Sequence, residues 1–230
     1  MRQSYTRIQA FFTGDRSFTF LLIILSVYIF GVIPLLGDDL PGKIAFLLFY
    51  YVLLASSIPF LLKRNQKMVA VVLVAIPLLF LVLEVSFHAI WFQGLTDVFI
   101  ILYCALLGYI ILIKTFAQGR INYKRVQGAI VVYLLASLAF SLIYHSMYLL
   151  GPAKAFSGLV GSHRKEFLYF SLCTLTTDGY GDIIPVTSLA RSFSNLEALI
   201  GQLYPAILIA RLVSLEFYYK KEVAEPKNTL

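Results

Sequence analysis

Thr174-Leu175-Thr176-Thr177-Asp178-Gly179-Tyr180-Gly181-Asp182 is the stretch on which the reading of this chain turns. A run of threonines leads into Gly-Tyr-Gly-Asp. Glycine adopts backbone angles that side chains forbid, so Gly179 and Gly181 let successive carbonyls face the same way. A row of carbonyls aimed at one axis replaces the water shell of a bare cation. Tyr180 can wedge outward and hold such a row open. The Thr177 hydroxyl can add an oxygen at its inner end.

The surroundings of this stretch are apolar. The chain has 230 residues, of which 60% are hydrophobic and 13% charged. Its mean hydropathy is +0.83. The charges gather in short clusters between long apolar runs, which is the composition of an all-α, multi-pass membrane protein.

Six runs are candidates to span a membrane as helices: Phe18 to Leu36, Ile44 to Leu62, Met68 to about Trp91, Val98 to Ile113, Val126 to Leu150 and Phe193 to Leu215. The third carries Glu84 and His88 near its end, the fourth extends backward to Gly94, and the last carries Glu197 and Arg211. At about 1.5 Å per residue each reaches, or nearly reaches, across a hydrocarbon core. Phe167 to Thr176 is also apolar but too short to cross. A half-crossing re-entrant helix fits it better. The first run follows a basic N-terminus. It is too long for a typical signal-peptide core, and no small-x-small cleavage site follows, so it reads as a retained helix.

Orientation follows from the basic residues. With both termini cytoplasmic, the inside holds Arg2, Arg7, Arg16, Lys63, Arg64, Lys67, Lys114, Arg120, Lys124, Arg125, Arg211, Lys220, Lys221 and Lys227. The outside holds only Lys43, Lys154, Arg164, Lys165 and Arg191. This puts Gly179-Tyr180-Gly181 toward the outer face, in a plasma (cytoplasmic) membrane. The net charge of +7 is then a topology signal. No basic soluble face is visible, so a nucleic-acid partner is not expected; the expected surroundings are membrane lipids. Cys104 and Cys173 fall in apolar segments without paired spacing, and His88, His145 and His163 are scattered. No nucleophile, metal or cofactor motif argues for an enzyme, and no cofactor is expected.

From Val126 to Leu215 the order is helix, short helix, Gly-Tyr-Gly, helix. This order closely resembles the pore module of tetrameric potassium channels, within them the prokaryotic six-span ion-channel type with one pore loop per chain. The resemblance rests on Thr174-Leu175-Thr176-Thr177, Gly179-Tyr180-Gly181-Asp182, Pro185, Ala190-Arg191, Leu196-Glu197-Ala198 and Gly201-Gln202-Leu203-Tyr204. The preceding four helices match by topology only. The implied organisation is a four-helix domain over 1–125, a pore domain over 126–217 and a short cytoplasmic tail over 218–230.

The resemblance implies a potassium-selective channel that conducts K+, its permeant ion, passively. The carbonyls of Thr177, Asp178, Gly179 and Tyr180 would bind dehydrated K+, with the Thr177 hydroxyl at the cavity end. Gly181 and Asp182 would form the outer mouth. The short helix would aim its negative C-terminal end at the cavity and favour a cation there. One chain supplies one filter strand, so four-fold coordination implies a homotetramer. No second filter motif is present, which argues against a two-pore dimer.

Several positions depart from the family pattern or leave alternatives open. Asp178 stands where the family has an apolar residue whose side chain points away from the ion. A carboxylate there needs hydrogen-bond donors; the Thr176, Tyr169 and Tyr180 hydroxyls are of the right type. Asp178 is either satisfied behind the filter or alters it toward weak cation selectivity. Cys173 stands where several bacterial channels carry a carboxyl bonded to the residue matching Asp182. Tyr169 and Phe170 retain aromatic bulk around the filter. Glu197, inside the last helix, is either bonded behind the filter or serves as an ion or regulatory site. Gly201 and Pro205 either form a gating hinge or, for Gly201, permit close packing. Arg211 reads as snorkelling. The fourth run has no Arg or Lys, so intrinsic voltage sensing is not expected. A transporter would show repeated halves or paired broken helices, and a non-conducting receptor subunit is the remaining alternative.

Overall fold

The computed structural model describes residues 17–35, 40–57, 76, 79–80, 83, 90–116, 123–151, 155–160 and 163–224. Most of the third expected span, with Glu84 and His88, lies outside the described residues. So do the basic N-terminus and the last residues of the tail.

Helix α1 (Ser17–Val27) passes through a π-helical turn at Tyr28–Val32 into Ile33–Leu35. Pro34 explains the turn. It has no N–H to give Phe30, and its ring crowds that carbonyl. The helix widens instead, and Ile33 N–H reaches the Tyr28 carbonyl. Helix α2 is Leu40–Ser57, α3 is Ile90–Phe116 and α4 is Tyr123–Leu150. A short helix, α5 (His163–Leu175), and a long final helix, α6 (Ser188–Ala224), follow. Among the described residues, four helical stretches are long and apolar enough to cross a membrane: Phe18–Leu35, Trp91–Phe116, Tyr123–Leu150 and Ser188–Ser214. The chain is a mostly helical membrane protein.

Three boundaries differ from the sequence reading. Helix α3 starts at Ile90, so Trp91 belongs to it. Gly94 does not interrupt it. A Cβ at Gly94 would lie 2.7 Å from the Leu150 side chain, so this glycine admits α4. Helix α5 starts at His163 because its polar first turn, Arg164-Lys165-Glu166, is helical although it lies outside the apolar run. Helix α6 begins before Phe193 because Thr187 caps it: its carbonyl accepts from Arg191 N–H at 3.0 Å and its hydroxyl from Ala190 N–H at 3.4 Å. It continues to Ala224, into the stretch expected as a tail, where Lys220, Lys221 and Glu222 are good helix formers.

Two cores result. The larger joins α1 to α4. On α3 it takes Ile100, Tyr103, Cys104, Leu107 and Ile111, the spacing of one helix face. On α4 it takes Val131, Leu134, Leu135, Leu138 and Leu142. Cys104 is thus a packed core residue. Gly128 brings α4 against α3 and α1; a Cβ there would meet the Thr115 hydroxyl at 2.8 Å and the Phe18 ring at 3.2 Å. The smaller core is aromatic and lies beneath α5: Phe140, Tyr144, Phe156, Phe167 and Phe170, with Ile183 and Ala190. Four of its rings pack edge-on, Tyr144 and Phe156 each against Phe170 at 5.1 and 5.6 Å, and Phe156 against Phe167 at 5.0 Å.

One element was not foreseen. Phe156–Ser157 (β1) pairs antiparallel with Ile184–Pro185 (β2), Phe156 opposite Pro185 and Ser157 opposite Ile184. The pair ties the chain before α5 to the chain after Asp182.

Candidate functional site

Helix α5 has 13 residues, about 20 Å of helix. It falls short of the roughly 30 Å of a hydrocarbon core. Its last carbonyls need partners, and the next residues supply them. Thr176 N–H donates to Leu172 O at 2.9 Å, Thr177 N–H to Thr174 O at 3.1 Å and Asp178 N–H to Cys173 O at 2.9 Å. The amides of this segment are therefore turned back onto the helix, and its carbonyls are left for other partners.

The backbone then alternates. Thr177 has φ 62°, Gly179 φ 61° and Gly181 φ 79°, while Asp178 and Tyr180 between them stay outside the left-handed region. Alternating left- and right-handed residues is what turns successive carbonyls toward one side. Glycine accepts this without strain. Thr177 does not, and a β-branched residue there is a costly conformation held by its surroundings. The whole segment from Thr176 to Asp182 is exposed in the single chain, with Tyr180 at 72%.

The supporting residues come together around it. The Tyr169 ring stacks on Tyr180 at 6.2 Å. The Thr176 hydroxyl donates to Leu172 O at 2.7 Å and lies 3.2 Å from the Asp178 carboxylate. Of the three hydroxyls expected near Asp178, this is the one the structure brings to it. Asp178 itself is exposed in the single chain.

Glu197 on α6 is fully buried, at 0% exposure. Its carboxylate accepts from the Tyr144 hydroxyl at 2.6 Å and from the Ser171 hydroxyl at 2.5 Å. Ser171 also donates to Ser137 O at 2.7 Å. Glu197 therefore links α4, α5 and α6. Gly201 meets the end of α5: a Cβ there would lie 1.8 Å from the Leu175 carbonyl oxygen. That carbonyl accepts the Tyr133 hydroxyl at 3.0 Å. Gly201 is a close-packing position. Pro205 lies inside α6, and Tyr204 beside it donates to Ala129 O at 2.9 Å. Arg211 is exposed near the far end of α6.

Sequence reasoning missed one site. Asp97 on α3 is fully buried. Its carboxylate takes a hydrogen bond from His145 Nδ1 on α4 at 2.5 Å and an ion pair from Arg164 on α5 at 3.0 Å. The signal available was an acidic residue at the edge of an apolar run.

A protein-family description, "Ion channel", matches residues 129–217. Protein LctB of Bacillus caldotenax is 30% identical over 108 residues, covering 44% of this chain and 79% of that protein. Protein LctB of Geobacillus stearothermophilus is 35% identical over 83 residues, 33% of this chain and 60% of that protein. Two pore potassium channel c of Oryza sativa subsp. japonica is 37% identical over 84 residues, 36% of this chain but only 18% of that much longer protein. No solved structure matches the chain significantly. The chain belongs to the same family as Protein LctB, and its residues 129–217 carry the ion-channel family match. The matched residues contain most of α4, α5, the alternating segment and most of α6; α1 to α3 lie before the family match.

Proposed function

We propose that the chain is the subunit of a potassium-selective channel that conducts K+ passively as a homotetramer. The observation that carries this is the alternation of backbone handedness at Thr177, Gly179 and Gly181, immediately beyond the C-terminal end of α5. Carbonyls of Thr177, Asp178, Gly179 and Tyr180 bind the dehydrated ion, and Gly181 and Asp182 form the outer mouth. Helix α5 is the re-entrant pore helix, and its C-terminal dipole favours a cation in the cavity.

Assembly supports the same reading. A single segment cannot close a ring of carbonyls. Helix α6 leaves Leu196, Leu199, Leu203 and Ile207 exposed, and only 11% of its membrane-length stretch is buried. Lipid and three further copies would cover these surfaces. Six spans with both termini in the cytoplasm, in the plasma membrane, follow from the run count and the basic residues. Helices α1 to α3 belong to a four-helix domain over 1–125 that does not sense voltage, and the pore domain runs over 126–217.

A second reading has its own observation. The Asp178 carboxylate is exposed beside the conduction segment, and a charge there favours cations without discriminating among them. Purified protein in liposomes under a potassium gradient separates the readings. Potassium flux with little sodium competition supports the selective channel. Equal sodium flux supports the weakly selective one, and absence of flux overturns both.

A further inference from the structure

We propose that Asp97 is a positioning residue: through Arg164 it holds the N-terminal end of α5, so that the helices preceding the family-matched region set the orientation of the conduction segment. The inference rests on the pore reading above.

Three observations carry it. Asp97 is fully buried and joins three elements: α3 by its own backbone, α4 through His145 at 2.5 Å and α5 through Arg164 at 3.0 Å. The partners are 48 and 67 residues away in sequence, so no local fold requirement brings them together. His145 and Arg164 lie within the family-matched residues 129–217, and Asp97 lies outside them. The cluster is a charged bridge between the two parts of the chain.

The physics of α5 makes the bridge directional. Arg164 stands in the first turn, where the helix dipole is positive and a cation is disfavoured. Asp97 brings the compensating anion. At the other end the Leu175 carbonyl is held by Tyr133 and abutted by Gly201. Thr176 and Thr177 follow at once. A helix of this length is a stiff rod, so a tilt at Arg164 moves the residues that enter the alternating segment. Stability alone does not account for the cluster. Apolar residues of similar volume often replace a buried ion pair without loss, and such pairs are best attested where they fix one arrangement among several.

The test uses the full-length chain in planar bilayers with symmetric potassium. Wild type, Asp97→Asn, Asp97→Glu, Arg164→Gln, Arg164→Lys and the double variant Asp97→Asn/Arg164→Gln are compared. The readouts are mean open time and potassium-over-sodium reversal potential, with the mass of the assembly measured alongside. Asp97→Asn and Arg164→Gln should each shorten open time by about fivefold or more, the range of a coupling between sites. The double variant should be no worse than either single change, because both remove one interaction. Asp97→Glu should stay within about twofold of wild type. Wild-type open times in correctly assembled Asp97→Asn and Arg164→Gln, or additive effects in the double variant, overturn the proposal. If Asp97→Asn fails to assemble, Arg164→Gln decides it, with Arg164→Lys as the charge-keeping control, and an unchanged open time in Arg164→Gln overturns it. Lack of potassium conduction by wild type sinks the pore reading itself, and this inference with it.

Discussion

Replacing Gly201 by alanine puts a number on the contact between α6 and the end of α5. The new Cβ would lie 1.8 Å from the Leu175 carbonyl oxygen and 2.7 Å from its carbon. Carbon–oxygen contacts settle at about 3.3–3.6 Å, so α6 must retreat by about 1.5 Å or the Leu175 peptide must rotate. Both partners are backbone, and no rotamer relieves the clash. Overpacking of this kind costs about 1–3 kcal/mol. Rotating the peptide also breaks the Tyr133 bond to the same oxygen, a further loss of about 1 kcal/mol. The expected total of about 2–4 kcal/mol lowers the apparent Tm by about 4–16 °C at this chain length. Thermal unfolding of the detergent-solubilised protein reads this. Bi-ionic reversal potentials read the accompanying displacement of Thr176 and Thr177 as reduced potassium selectivity. Gly201→Ser should behave alike, because it adds the same Cβ. A Gly201→Ala protein with wild-type Tm and selectivity would refute the close-packing argument. Wild-type Tm with only the open probability changed would favour the hinge.

Four other outcomes are expected. Tyr144→Phe leaves one Glu197 oxygen without its donor and should cost about 1–3 kcal/mol, with Ser171→Ala similar; thermal unfolding tests both, and unchanged Tm in each denies the bonded-carboxyl role. Asp178→Val should keep the pore conducting and raise potassium-over-sodium selectivity, whereas identical reversal potentials make Asp178 a satisfied structural residue. Open probability should vary weakly between about −100 and +100 mV, since the Val98–Ile113 stretch of α3 carries no Arg or Lys; a steep curve equivalent to several gating charges contradicts this. Mass measurement of the solubilised complex should give a tetramer, and a monomer or dimer as the sole conducting form would exclude the four-fold ring.

The alternating segment was legible because its chemistry is local. Gly179 and Gly181 announce unusual backbone angles, and the apolar runs announce membrane helices. The Glu197 contacts were also legible, since a carboxyl within an apolar helix demands partners. Thr177 was not, because nothing in a threonine signals a positive φ; the helix end before it and the glycines after it impose one. Asp97 escaped because its partners are distant in sequence. The pairing of Phe156–Ser157 with Ile184–Pro185 escaped because two-residue strands have no periodicity to read.

That small pairing has a consequence for how an ion is received. Phe156 meets Pro185, and Val186 N–H bonds Ala155 O at 2.8 Å, so the intervening chain returns to its own start. Gly158, at φ 88°, seals the closure: a Cβ there would sit 1.8 Å from the Asp182 carbonyl oxygen. A segment tethered at both ends gives up its conformational freedom when the protein folds. On the proposed reading, an arriving ion then meets dipoles already turned, and binding carries little ordering cost. Ordering that precedes entry also resists collapse. A slack strand could close around a smaller cation, whereas one spanned between two anchors keeps its spacing when the ion that fits has left.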